Sequence, residues 1–389
     1  MKSILFIHQS AELYGSDKTI LMFISQLDKS QYYPVVVLPF EGPLKVELEK
    51  NNIEVVIAPV LKIYRKMFTP GNLLKFGSEY KKGMAVLDEL HKKYHFRLVY
   101  SHTLAALIGL LFAKKRNVNH LWHVQEIIAK PTVVNLAFKK LLAWKANDKI
   151  VYDSRETMNF WIGGNPVLAE KSAFIWNGLD VAKKPLHTPE EVQTVRRDYF
   201  HASENEIVIS LVGRINSWKG QQLLLKAFEL LAGKYGNIKL VYLGSAPPNQ
   251  DFFVTDLEAK IKEFKLEQRV IIIPFQENIW KFWDSIDIAV VPSTEPEPFG
   301  MVAIEAMMSK KPVVAANHGG LTEIVLPNET GLLFEPGNEK RLAEALEQLI
   351  VSPEKRAEYG KTGYTRAITH FSLDKHVQQF ETIFTEIIK

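Results

Sequence analysis

The chain has 389 residues, of which 47% are hydrophobic and 24% charged, and its 48 Lys and Arg exceed its 44 Asp and Glu to give a formal charge of +4. That length and apolar content suffice for two domains with separate cores, while so mild a charge makes no case for nucleic acid. The absence of cysteine excludes disulfides, thiolate metal sites and cysteine nucleophiles.

The first residues, MKSILFIHQS, hold one lysine and a short apolar run before His8, too little for a secretory core, and a cytoplasmic protein is expected. The longest apolar run, Leu104 to Ala113, falls well below the roughly 20 residues of a membrane-spanning helix. It predicts a buried helix.

In chain order, the first half alternates short apolar runs with amphipathic segments. Strands are predicted at Ser3 to Ile7, Val35 to Pro39, Val55 to Val60, Leu98 to Ser101, Leu121 to Val124, Lys149 to Tyr152 and Ala173 to Trp176. Helical patterns such as Lys18 to Leu27 and Leu44 to Asn51 lie between them, and this βαβ alternation predicts a parallel sheet with helices on its faces. A polar stretch with Pro185 and Pro189 follows. The alternation then restarts, with strands predicted at Ile207 to Val212, Lys239 to Leu243, Val270 to Pro274, Ile288 to Val291 and Pro312 to Ala315.

The expected division is residues 1–182, a linker over 183–206, residues 207–370, and a C-terminal helix over 371–389 that packs either on its own domain or back on the first. The fold class is α/β, with two Rossmann-like doubly wound domains. Such sheets bind ligands at the carboxyl ends of their strands, so a site in a cleft between two facing domains is expected.

The stretch STEPEPFGMVAIEAM, Ser293 to Met307, reads as a rigid loop entering a helix near Gly300. Glu297 lies before that helix and Glu305 just over one turn inside it. Between them the amides of Phe299, Gly300 and Met301 would be open donors at a positive helix end, fit for a phosphate. First-turn acids also serve simply to complement the dipole. Gly213-Arg214 and Lys219-Gly220 put two cations on another strand-to-helix loop, where Arg can fork onto phosphate oxygens and Lys supplies a compact charge. The alternative is a pair of solvated loop cations. His318-Gly319-Gly320 follows a further strand, and its glycines allow close backbone approach or form a plain turn.

In the first half, Tyr14-Gly15-Ser16-Asp17 precedes a helix and could meet a phosphate or an acceptor hydroxyl. It is no GxGxxG fingerprint, which argues against a dinucleotide-dependent oxidoreductase. His102 and His123 end strands, where a histidine can orient hydroxyls or be structural. There is no zinc cluster, nucleophile elbow, P-loop or Asp-x-Asp pair, so protein cations and helix amides would have to stabilise a leaving diphosphate.

The spacing Glu297-Pro-Phe-Gly-Met-Val-Ala-Ile-Glu305, with Gly213-Arg214, Lys219-Gly220, Asn177 to Asp180, Gly319-Gly320 and Asn328 to Phe334, resembles the E-x7-E signature set of retaining glycosyltransferases of family 4, which have the GT-B fold. The resemblance covers most of the second half and is sparse in the first. It implies sugar transfer from a UDP- or GDP-linked sugar to a glycan or lipid-linked acceptor, with retention and without a metal or cofactor. In the implied catalytic set, Glu297 holds donor-sugar hydroxyls, Arg214 and Lys219 neutralise the diphosphate, and His123 contacts the donor sugar near the reacting carbon. The implied donor-binding set is Glu305 on the ribose, Phe299, Gly300, Met301 and Val302 at the helix end, Gly213, Pro274, and Gly15 and Ser16 of the first loop. Relatives carry paired glycines where this chain has Gly15-Ser16, so the acceptor side departs most.

Basic residues interleave with aromatics at Lys62, Arg65 and Lys66 with Tyr64, Met67 and Phe68, at Lys81 and Lys82, at Lys114 to Arg116, and at Lys139, Lys140 and Lys145 with Phe138 and Trp144. These could seat the first domain on an anionic membrane surface or be solvated helix faces. The rival readings are a GT-B epimerase or phosphorylase and a non-catalytic two-domain sugar-binding protein.

Overall fold

The structure is a computed structural model that describes residues 1–61 and 70–388, so the cluster Lys62 to Phe68 lies outside the described residues. It divides into two compact units, Met1–Gly178 with Leu373–Lys389, and Leu179–Ser372.

In the first unit the strands are β1 (Lys2–His8), β2 (Tyr32–Leu38), β3 (Glu54–Ile57), β4 (Leu98–His102), β5 (Asn119–Val124), β6 (Lys149–Tyr152) and β7 (Ser172–Phe174). They form one parallel sheet in the order β3-β2-β1-β4-β5-β6-β7. Strands covered on both faces are apolar throughout rather than alternating. Ile4 to Ile7 and Val35 to Leu38 accordingly have no exposed surface.

The C-terminal helix Leu373–Ile387 belongs to this unit and buries Val377, Phe380, Ile383 and Phe384. The Phe380 ring packs 4.8 Å from Phe23, 5.7 Å from Tyr100 and 5.1 Å from His123, centroid to centroid. Polar contacts fix its register, since Glu381 accepts the Asp28 amide at 2.9 Å. The last carbonyls of a helix have no intrahelical donor, and here Asn119 Nδ2 and Lys2 Nζ donate to those of Ile387 and Ile388 at 2.8 and 3.0 Å.

In the second unit the strands are β8 (Ile207–Val212), β9 (Ile238–Leu243), β10 (Val270–Ile273), β11 (Ile288–Val291), β12 (Val313–Ala316) and β13 (Gly331–Phe334). They too are all parallel, in the order β10-β9-β8-β11-β12-β13. The β13 strand was not expected, because the run GLLF starts on a glycine and lacks β-branched residues. Pairing with β12 makes it a strand.

Residues 183–206 are not a linker. They hold the helix Pro189–Asp198, started by a capping box between Thr188 and Glu191 with Pro189 in its first turn. The largely buried Arg196 ties this helix to the unit, donating to the Ser285 carbonyl and Asp287 at 3.0 Å each. Charge along the sequence looked like solvated linker, yet one arginine of it is an internal bond donor.

Phe380→Ala removes a fully buried ring from the seam under the C-terminal helix and is expected to cost about 3–5 kcal/mol. Urea unfolding measures it, and an unchanged midpoint would mean that this helix does not hold the unit together.

Candidate functional site

The strand order of each sheet reverses direction once, next to its first strand, and ligands of doubly wound sheets sit at the carboxyl edge beside that reversal. In the second unit the reversal lies between β8 and β11. The loops there are 213–220 after β8 and 292–300 after β11, with 317–320 after β12 beside them.

Glu297 is the hub of these loops. Its Oε1 accepts Lys219 Nζ and Ser293 Oγ at 2.6 Å each, and it is 5% exposed. Its carbonyl accepts the Gly320 amide at 2.8 Å. His318 Nε2 donates to the Ser293 carbonyl at 2.9 Å, which fixes the Nε2–H tautomer, and burial lowers its pKa below the ordinary histidine value. Loop 213–220 is stiffened from within: Asn216 Oδ1 accepts the Trp218 and Lys219 amides at 3.1 and 3.0 Å, and Gln221 Nε2 donates to the Arg214 carbonyl at 2.8 Å.

Two glycines make the approach possible. A Cβ on Gly220 would lie 2.0 Å from the Pro292 carbonyl oxygen, and one on Gly319 would lie 2.3 Å from that of Glu297. Both have left-handed φ, +82° and +58°, which other residues adopt only at a cost. The paired glycines after β12 therefore serve close packing of backbone on backbone.

The helix Met301–Met308 starts at Gly300, whose φ of +120° turns the chain into it. Met301 and Val302 are partly exposed on its first turn, while Phe299 is buried and lies edge-on to Phe371 at 5.9 Å. Glu305, one turn in, accepts Trp283 Nε1 at 3.1 Å. Arg214, Gly213 and Pro274 lie at the same carboxyl edge, after β8 and β10, with Arg214 and Pro274 exposed. The expected residues of the second unit thus collect at one edge. Ser293, Asn216 and Trp283 were missed, since a serine, an asparagine or a tryptophan alone carries no spacing signal.

In the first unit, Gly15 and Ser16 open the helix Gly15–Gln26, and Gly15 has open space where a Cβ would stand, so no close approach requires that glycine. Asp17 accepts the Tyr14 amide at 2.9 Å and binds His8 Nε2 at 2.7 Å.

His123, expected to contact the donor sugar, is fully enclosed, with Nδ1 2.6 Å from the Tyr100 hydroxyl and the ring against His102, His376 and Phe380. The C-terminal helix covers its side chain. Sequence position put it at a strand end; the last helix closes over it. His102 sits beside it, with Nδ1 2.9 Å from His8 Nδ1. His376 Nδ1 donates to the Trp176 carbonyl at 2.8 Å.

Burial pushes His120 and His376 down to about 4, and His102 and His123 well below the ordinary histidine value. Unfolded histidine binds its proton near pH 6.5, so this stability is present above that pH and lost as pH falls toward 4. Each of His120 and His376 contributes on the order of 3 kcal/mol across the window. Glu126 works against them, because burial raises its pKa to about 7 and its stabilisation fades as pH rises. Four histidines outweigh one carboxyl, so the urea midpoint should fall from pH 7 to pH 5; a flat or rising midpoint would contradict neutral interior histidines.

Residues 193–366, inside the second unit, match the model of the family described as glycosyl transferases group 1. The capsular polysaccharide biosynthesis glycosyltransferase CapM of Staphylococcus aureus is 29% identical over 213 residues, 55% of this chain and 54% of CapM, so the match spans about half the length of that relative. Among solved structures, Alr3699/HepE of Anabaena, in complex with UDP, is 25% identical over 99% of this chain and 100% of its own, with a TM-score of 0.84. A glycosyltransferase of Rickettsia africae is 22% identical over 100% and 99%, with a TM-score of 0.85. The chain has the α/β fold of these glycosyltransferases, two Rossmann-like units of the GT-B kind, and its residues 193–366 match glycosyl transferases group 1.

Proposed function

We propose that the chain is a glycosyltransferase that moves a sugar from a nucleoside diphosphate sugar, UDP- or GDP-linked, to a glycan or lipid-linked acceptor, with retention and without a metal. The observation that carries this reading is the convergence of Lys219, Glu297 and the helix start at Gly300 at the carboxyl edge beside the β8–β11 reversal. The group 1 match over the same residues and the UDP bound by HepE support it.

On this reading Glu305 takes the ribose hydroxyls and Glu297 those of the donor sugar. Arg214, Lys219 and the amides at Gly300 and Met301 carry the growing charge of the leaving diphosphate. Lys219 is bonded to Glu297, so the protein itself places its ammonium at this edge. Preplaced charge needs little reorganisation when the bond breaks.

Thermal shift with nucleoside diphosphates and their sugars tests the reading, since a ligand at a hundred times its Kd stabilises by about 2.7 kcal/mol. Shifts with no diphosphate would overturn it. With the donor in hand, Glu305→Ala should raise KM for the donor about tenfold or more with little change in kcat. Lys219→Ala should lower kcat by about a hundredfold or more, the scale of losing a preorganised charge-stabilising group. Full activity in both variants would remove these assignments.

Peripheral membrane contact of the first unit belongs to the same proposal and rests on the helix Thr132–Ala143, whose Val133 and Leu136 are 78% and 53% exposed beside exposed Lys130, Lys140 and Lys145. Apolar residues rimmed by lysines suit an anionic lipid surface. The aromatics expected there do not serve: Phe138 is buried and Trp144 lies under Lys114, 4.1 Å from its ring. Lys115 and Arg116 are bonded to Asp88. No described helix is long and apolar enough to cross a membrane. Flotation with phosphatidylglycerol vesicles should retain the chain at low salt and lose it in Val133→Asp/Leu136→Asp; no retention would remove this contact.

A further inference from the structure

The loop that carries Lys219 also carries a large aromatic ring. Trp218, directly before the lysine on loop 213–220, is half-buried, and the Lys219 ammonium lies over its indole face, 4.3 Å from the ring centroid. The same ammonium is 2.6 Å from Glu297 Oε1, and the lysine side chain is 19% exposed. A cation within about 6 Å of an indole face is attracted by the ring quadrupole, most strongly where water is excluded. Lys219 is thus held by two groups, a carboxylate and an aromatic face.

Adjacent side chains of an extended chain point to opposite sides, so this pairing needs a turn. Asn216 supplies it, its Oδ1 accepting the amides of both Trp218 and Lys219 at 3.1 and 3.0 Å, a turn closed by a side chain. The Trp218 carbonyl is clamped from the loop after β11, where it accepts the Thr294 amide at 2.8 Å and the Thr294 hydroxyl at 3.2 Å. Glu297 stands on that same loop, so the main chain bearing the ring is tied to the loop bearing the carboxylate. The two holders act differently on the charge. Glu297 offsets the ammonium with a full negative charge, whereas the ring attracts it without adding one. A lysine stem is flexible, and a single ion pair lets the ammonium pivot about a carboxylate oxygen. The indole face below restricts that pivot and leaves the positive charge undiminished.

We infer that Trp218 is a positioning residue whose indole face holds the Lys219 ammonium in the place from which it meets the diphosphate. Trp218 acts through the lysine and not on the substrate. The inference rests on the glycosyltransferase reading and adds to it a residue whose aromatic ring sets diphosphate affinity. Phenylalanine keeps a smaller aromatic face, whereas leucine fills the space with no quadrupole. A role in packing alone does not distinguish the two in this way.

Binding of UDP and GDP to the full chain, followed by calorimetry, reads the lysine without an acceptor. Kd for the diphosphate that binds should rise about tenfold in Trp218→Leu and no more than about threefold in Trp218→Phe. In a Lys219→Ala background the ring has no ammonium to hold, and adding Trp218→Leu should change Kd less than about twofold. An unchanged Kd in Trp218→Leu overturns the inference. Equal losses in the Leu and Phe variants assign the ring to packing, and a full further loss in the Lys219→Ala background assigns it to direct contact with the ligand; either result overturns the inference as well. All three leave the transferase reading in place, whereas a wild-type chain that binds neither UDP nor GDP overturns that reading and the inference with it. Melting temperature identifies a variant that does not fold, and if Trp218→Leu is one, Trp218→Met, which also lacks a ring, takes its place.

Discussion

The reversal of strand order beside β8 is the constraint on which the candidate site depends. In a parallel sheet every crossover returns the chain to the same edge, and where the order turns, the loops leaving neighbouring strands diverge to opposite faces and leave a gap. The loops after β8 and β11 border that gap, and Gly220 against Pro292 sets how closely they pack. A rigid backbone contact thereby fixes where Lys219 and Glu297 meet. Side chains placed in this way need little ordering when a substrate binds, which is the physical content of preorganisation.

Glu297 illustrates how a buried charge is kept affordable. Its carboxylate is nearly out of water, and an isolated ion there would cost several kcal/mol. A lysine and a hydroxyl on one oxygen, both at 2.6 Å, offset that cost. The same groups make the carboxylate a fixed acceptor. One arrangement both satisfies the buried carboxylate and positions Lys219 and Ser293, so the loss of any one of them is felt by the others.

The first unit solves a different problem with the same topology. Its carboxyl edge carries His8, His102, Thr103 and Glu126, and the C-terminal helix covers the sheet behind His123 through Phe380. A residue near the end of the chain therefore decides whether a strand histidine is interior or open. The imidazoles of His102 and His123 stay neutral because desolvation disfavours their charged form.

The sequence by itself determined the alternation of strands and helices, the α/β class and two sheets, because continuous apolar runs of strand length separated by amphipathic segments admit few other layer arrangements. It also marked Glu297, Glu305, Arg214 and Lys219, since charged residues at fixed spacings around strand ends stand out from an apolar background. Spacing could not show that Lys219 bonds to Glu297, that residues 189–198 form a docked helix, or that GLLF completes a sheet. Nor could it tell His123 from an open histidine, or single out Glu126 from the other acids of the chain. Those facts were decided by tertiary structure, because burial, ion pairing and pKa depend on what lies across from a residue in space, and the partner is often tens or hundreds of positions away.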